Sequence, residues 1–233
     1  MPAAPDADIV VWLFSLPAPP EEEARLAALL SPDEQARAAR LRRPEDRRRH
    51  VAAHAAKRQI LARAAGVAPE ALAFAVSPWG RPELAAPAGL HFSLSHAQAH
   101  GALAVSRRGP VGVDVEEIRP VEPEVAAQFF SAAEQAALAR LPPAQRLQGF
   151  YRCWTRREAV LKALGRGFSL PPETFDVTLA PGEAPRLLRF RGDALAPARW
   201  RIVHFDAAED APGAVAAPAP DARVAIRRWP EQA

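Results

Sequence analysis

The sequence predicts an α+β fold made of two similar halves, each a small antiparallel sheet with a long helix, related by a pseudo-twofold axis. Three observations predict it. One stretch occurs twice: Ser31-Pro32-Asp33-Glu34-Gln35-Ala36-Arg37-Ala38-Ala39-Arg40-Leu41 and Ser131-Ala132-Ala133-Glu134-Gln135-Ala136-Ala137-Leu138-Ala139-Arg140-Leu141 agree at seven of eleven positions. Both copies open on Ser-x-x-Glu, a capping box in which serine and glutamate satisfy the free amides of a first helical turn. The pattern around the copies is also the same: an alternating strand before, a second helix after, then Pro-Glu and another alternating strand.

The elements follow in order. Ile9-Val10-Val11-Trp12-Leu13 reads as a strand and sits where Val111-Gly112-Val113-Asp114-Val115 sits in the second copy. Residues 21–30 read as a short helix. The helical segment 57–66 matches 156–165, and the strands 72–76 and 175–179 follow them. Segments 91–94 and 102–105 read as strands flanking a tight turn. Segments 186–190, 200–205 and 222–229 read as closing strands. The stretch 207–220 is rich in Ala, Pro and Asp, so it reads as a loop with one short edge strand. The boundary falls near Gly109-Pro110, giving halves 1–109 and 110–233, and a cleft between them is the expected ligand site. In the internal alignment Gln59 stands in the place of Glu158, and Arg63 in that of Lys162. Only the second half has the acid, so one active cleft is expected rather than two.

Composition narrows the function classes. A chain of 233 residues can bury a proper core as one large domain or two small ones. No uninterrupted apolar run approaches the roughly 20 residues that span a bilayer. No basic segment precedes an apolar one at the N-terminus, so no secretory signal is expected and a cytoplasmic location is. Cys153 is the only cysteine, which excludes an internal disulfide and a cysteine-based zinc site. Net charge is only +3, yet between Arg37 and Arg63 ten Arg or Lys residues face two acids, Glu45 and Asp46. Such a cluster favours a polyanionic ligand or partner. Of the 30 basic residues only Lys57 and Lys162 are lysine.

Two runs carry the chemistry. Strand alternation puts Asp114 and Glu116 on one face, about 6–7 Å apart, with Val111, Val113 and Val115 on the other. Trp154, Arg157, Glu158, Leu161 and Lys162 form one helical stripe. Three carboxylates, an ammonium and nearby guanidinium groups suit a magnesium-dependent site for phosphate esters. Plainer readings stand beside this one. The two acids fit the solvated face of a half-buried strand, and Glu158 with Lys162 fits an exposed ion pair worth about 0.3–0.5 kcal/mol. Same-face acids repel, however, and the flanking Trp154 and Leu161 argue for an inward stripe. Ser95-His96 lacks a Gly-x-Ser-x-Gly elbow, so a hydrolase is not indicated. His50 and His54 stand one turn apart with no third ligand motif, so zinc is not expected.

The ordered pair of motifs, Gly112-Val113-Asp114-Val115-Glu116 and Trp154-Thr155-Arg156-Arg157-Glu158-Ala159-Val160-Leu161-Lys162, resembles the signature of the 4′-phosphopantetheinyl transferases, in their larger surfactin-type branch. The likeness runs from about Ser31 to Phe175. Arg157 stands where the family usually has lysine. The resemblance implies two α+β halves joined as a pseudo-dimer with substrate between them. It implies transfer of the 4′-phosphopantetheine arm from coenzyme A to a serine of an acyl- or peptidyl-carrier protein, releasing adenosine 3′,5′-bisphosphate. It further implies that Asp114, Glu116 and Glu158 hold Mg2+, that Glu158 takes the proton of the attacking hydroxyl, and that Lys162 contacts the diphosphate as the second catalytic residue. Arg37, Ser95 and His96 match phosphate-binding positions. Trp79-Gly80-Arg81-Pro82 resembles the family's Gly-Lys-Pro turn, with Arg81 toward the 3′-phosphate. A monomer then supplies the whole site, and neither nucleic acid nor membrane is a partner. Two alternatives have their own signatures: a silent relative that binds coenzyme A or carrier without transfer, and a nucleic-acid-binding module whose affinity falls steeply with salt.

Overall fold

The computed structural model describes residues 7–16, 19–85, 89–165 and 170–231. The first half contains β1 (Ile9–Ser15), α1 (Glu23–Ala27), α2 (Pro32–Ala39) and α3 (Pro44–Ala65). It continues through β2 (Phe74–Val76), β3 (Pro82–Leu84), β4 (His91–Ala97) and β5 (His100–Ser106). The second half contains β6 (Gly112–Val115), α4 (Pro123–Phe129), α5 (Ala132–Arg140) and α6 (Pro143–Leu164). After these come β7 (Phe175–Val177), β8 (Leu187–Phe190), α7 (Ala196–Arg199), β9 (Arg201–Ala208), β10 (Ala211–Ala217) and β11 (Val224–Arg228).

The internal repeat survives in the strand pairing. One sheet runs β11-β1-β5-β4 and the other β6-β10-β9, so each half pairs its first strand with the second strand of its long hairpin. A short antiparallel hairpin, β2-β3 or β7-β8, follows the long helix in each half. Within each half the pairing is antiparallel. The exception crosses between them: β11 lies parallel to β1, from Ile9 opposite Val224 to Leu13 opposite Arg228. The C-terminal strand thereby closes onto the first half.

Both capping boxes form as the sequence predicts. Ser31 Oγ accepts from the Glu34 amide and the Glu34 carboxylate accepts from the Ser31 amide, with Ser131 and Glu134 repeating this. Each glutamate then does a second thing that sequence patterning does not reveal. The Nε of Arg58 in α3 donates to Glu34 at 2.6 Å, while its Nη1 donates to the carbonyls of Pro69 and Leu72. In the second half Arg157 of α6 donates to Glu134 at 2.6 Å and to the carbonyls of Phe175 and Pro172. One buried ionic clamp thus ties the capped helix, the long helix and the turn before the short hairpin, and it is built twice.

The clamps differ in charge balance. Lys57 adds a second cation to Glu34 at 2.5 Å, whereas the aligned Arg156 turns to the carbonyl and hydroxyl of Thr178. Burial alone would raise the Glu34 carboxyl, but the neighbouring His54, Lys57 and Arg58 hold it well below the ordinary 4.5. At Glu134 burial outweighs Arg157 and the carboxyl is raised. A carboxyl lower in the folded than in the unfolded chain gives stability that is present above its unfolded value and lost on acidification. Denaturant midpoints should therefore fall as the pH drops below about 5 in the parent and fall less in Glu34→Gln, which starts lower at neutral pH. Parallel pH profiles for the two proteins would contradict this.

Among the described residues three large apolar clusters stand out, with a smaller one around Leu30, Ala38, Val51 and Ala55. Trp12, Phe14 and Leu103 face Ala53, Ile60 and Leu61 of α3. Phe150, Cys153, Val160 and Leu161 of α6 pack with Phe175, Ala214 and Ile202. The third joins the halves: Ile9, Val11 and Leu13 of β1 meet Val111, Val113, Val115 and Val215. The alternation in the sequence thus has a direct meaning, since the three valines face the other half.

The segment 207–220 corrects its sequence reading. It is not a loop with a short edge strand; β10 spans seven buried residues and lies at the centre of its sheet, between β6 and β9. Pro212 is accommodated at a register shift in the ladder with β9. Small side chains suit this place because α6 packs directly across β10. Low strand propensity is overridden by burial. The predicted helix 21–30 is shorter, a 3-10 turn leading into α1.

Candidate active site

The motif glycine explains how strand and helix meet. A Cβ built on Gly112 would lie 2.0 Å from the Ala159 carbonyl oxygen and 2.5 Å from the Ala163 amide nitrogen. β6 therefore rests on the backbone of α6 with no side chain between them. Two residues along, Asp114 points at the helix and is 3% exposed, so it is no solvated strand face. Lys162, one helical turn after Glu158, donates to Asp114 Oδ1 at 2.7 Å. Lys162 also donates to Ser95 Oγ at 2.9 Å, and Ser95 donates to Asp114 Oδ1 at 2.8 Å. Ser95 comes from β4 in the first half, and Ser93 Oγ accepts from the Val113 amide at 3.1 Å. Contacts from both halves thus converge on Asp114. The plainer reading, an exposed Glu158–Lys162 pair, gives way to this deeper one.

A cavity of about 510 Å³ opens beside these groups. Its walls include Arg81, Ser95, His96, Glu158 and Lys162, five of the eight residues singled out in the sequence. It is bounded by α3, β4, the turn around Gly80 and the last turns of α6, so it lies between the halves. Arg81 crosses the gap, donating from Nη1 to the Ala163 carbonyl at 3.2 Å while its other nitrogens hold Glu83. Asp114 lies beneath the wall. Glu116 lines a smaller adjoining cavity of about 230 Å³ with His96, Gln98 and Arg119. Arg37 is exposed on α2 and lines neither cavity, although its charge reaches His54 and Lys57.

The electrostatics are those of a site with surplus negative charge. Burial raises Glu116 and Glu158 to about 7, and the neighbouring Asp114 carboxylate adds to both. Burial also raises Asp114 despite Lys162. Asp114 Oδ2 is buried with no hydrogen-bond partner. Among the described residues no three acidic, His or Cys side chains stand as a ready-formed metal cluster. The donor set nevertheless fits a hard divalent cation: all three groups are carboxylates, one buried oxygen is unpaired, and burial holds all three carboxyls above their ordinary values.

Arg157 is not directed at a ligand. Its guanidinium is buried at 5% exposure and committed to the Glu134 clamp. Its departure from the expected lysine is therefore a matter of scaffold. Removing one partner of a buried ion pair costs about 3–5 kcal/mol. Arg157→Met should accordingly melt far below the parent, and Arg157→Lys should lose about 1–2 kcal/mol with the forked carbonyl contacts. Calorimetric melting of the two variants checks the order.

Sequence reading missed two cavity residues, His54 and Lys57. A signal was present. In a chain with 30 basic residues only two are lysine, and both line the same cavity.

Comparison with known proteins bears on this geometry. The family model described as the 4′-phosphopantetheinyl transferase superfamily matches residues 110–217. The 4′-phosphopantetheinyl transferase HetI of Nostoc sp. is 36% identical over 185 residues, covering 77% of this chain and 78% of that protein. A 4′-phosphopantetheinyl transferase of Bacillus subtilis is 34% identical over 122 residues, and AcpT of Salmonella typhimurium 39% over 112. In those two the match spans 52% and 47% of this chain, and 54% and 57% of the relative. The match to HetI extends well beyond the motif region, and of the motif residues Glu158, Leu161 and Lys162 line one cleft with Asp114 beneath it. The chain belongs to the 4′-phosphopantetheinyl transferase superfamily.

Proposed function

We propose that this chain transfers the 4′-phosphopantetheine arm of coenzyme A to a serine hydroxyl of an acyl- or peptidyl-carrier protein. The observation that carries the reading is the gathering of Glu158, Lys162, Ser95, His96 and Arg81 around one cleft with Asp114 at its floor. The serine Oγ forms a bond to the β-phosphorus as the bond to the bridging oxygen breaks, and adenosine 3′,5′-bisphosphate leaves with that electron pair. Glu158, at the cavity wall one helical turn before Lys162, is placed to take the hydroxyl proton. Lys162 offers an ammonium to the diphosphate, and its attachment to Asp114 and Ser95 orients it beforehand. Asp114, Glu116 and Glu158 would hold Mg2+, whose charge would offset that developing on the phosphate oxygens.

In this reading residues 1–109 contribute nucleotide contacts through Arg37, Arg81, Ser95 and His96, and residues 110–233 contribute the acids and Lys162. One monomer then suffices. No described helix is long and apolar enough to cross a membrane. The test is mass spectrometry of several apo carrier proteins incubated with the protein, coenzyme A and magnesium. A phosphopantetheine adduct on the carrier serine is expected. Its absence from every carrier, with intact protein and bound coenzyme A, would leave a binding relative without transfer.

A further inference from the structure

We infer that His54 is a donor-recognition residue of this cleft: Lys57 and Glu34 fix its ring in the Nε2–H form, and that N–H bonds a phosphate oxygen of coenzyme A. The inference rests on the proposed function for the identity of the ligand.

The geometry decides the tautomer. Lys57 Nζ lies 3.2 Å from His54 Nδ1 and 2.5 Å from Glu34 Oε1. An ammonium donates and never accepts, so Nδ1 must be the acceptor and the ring proton sits on Nε2. The competing arrangement, Nδ1–H toward Glu34 Oε1, spans 3.4 Å, and that oxygen already receives the ammonium. Burial lowers the His54 pKa, consistent with a neutral ring. His50 packs over the same ring at 4.1 Å between centroids and holds its plane. Lys57 is itself fixed from the other side, 4.1 Å above the Phe74 ring.

The position decides the ligand. His54 lines the 510 Å³ cavity, opposite Glu158 and Lys162 of α6. Lys57, Arg37 and Arg58 make this wall positive and attract an anion. Lys57 is only 4% exposed and its ammonium is engaged with Glu34, so it is a positioning residue. His54 carries the hydrogen-bond donor into the cavity.

Two measurements on the intact chain test this. The first is the ring-nitrogen NMR spectrum, with the His54 signals assigned by their loss in His54→Gln. The parent should show the Nε2–H form, and Lys57→Met should shift His54 toward Nδ1–H as the Glu34 carboxylate is left facing Nδ1. The second is calorimetric binding of coenzyme A. A hydrogen bond to a charged acceptor corresponds to about a ten- to hundredfold change in affinity. His54→Ala should lose about that much, and His54→Gln, whose amide donates from near the Nε2 position, should recover most of it. An Nδ1–H ring in the parent, or unchanged coenzyme A affinity in His54→Ala, overturns the inference. Binding without transfer would sink the proposed function and leave this inference standing. Transfer with a normal His54→Ala does the reverse.

Discussion

Glu158→Gln and Asp114→Asn should each lower carrier labelling by about 10²–10³-fold, the scale of loss when one preorganised group is removed from a transition state. The two variants should part company in stability. Burial raises the Asp114 carboxyl despite Lys162, so its charged form works against the fold at neutral pH. Asparagine removes that charge at constant shape, and Lys162 retains access to solvent at 31% side-chain exposure. Asp114→Asn should therefore melt at or above the parent temperature while transfer collapses. Glu158 sits at the cavity wall and is likewise raised by burial and by Asp114. Its amide should also be tolerated. Activity loss in a stable protein would separate chemistry from folding. Abundant labelling by either variant would remove these acids from the mechanism.

Gly112→Ala should be the most damaging substitution of a residue that touches no ligand. The new methyl would meet the Ala159 carbonyl at 2.0 Å and the Ala163 amide at 2.5 Å, and both are helix backbone that cannot rotate away. Carbon contacts are comfortable only near 3.5–4.0 Å, so β6 must lift from α6 by more than an ångström. Overpacking of this kind costs about 1–3 kcal/mol and occasionally more, or roughly 2–4 °C of melting temperature per kcal/mol in a chain of this size. The functional loss should exceed the stability loss. Asp114 is carried by the displaced strand and Lys162 by the helix, and misplacement by about 1 Å can cost 10²-fold in rate. Scanning calorimetry and carrier labelling on the same preparation measure both. A melting temperature equal to that of the parent would show that the strand and helix have room to spare.

These two cases also show what the sequence makes legible. The duplicated Ser-x-x-Glu, the three alternating valines and the Trp154-to-Lys162 stripe report local geometry, so helix caps, the joint between the halves and the inward helical face could be read from them. β10 was misread because its Ala, Pro and Gly residues carry little strand signal, and only the tight seat under α6 makes them suitable. Arg58 reads as an ordinary basic residue and Arg157 as a member of the motif stripe, since nothing local shows that each answers a glutamate 23 or 24 positions earlier. Lys162 was expected to face substrate, and its hydrogen bonds to Asp114 and Ser95 depend on contact between strands far apart in the chain.

The paired clamps have a historical consequence. Losing either member of a buried ion pair is severe, whereas exchanging both for apolar groups is often harmless. Descent by single substitutions has to cross the severe step first. A duplicated ancestor would then find its ionic joints hard to discard even as its surfaces drifted; between the two copies Gln59 and Glu158 differ, whereas Glu34 and Glu134 are the same.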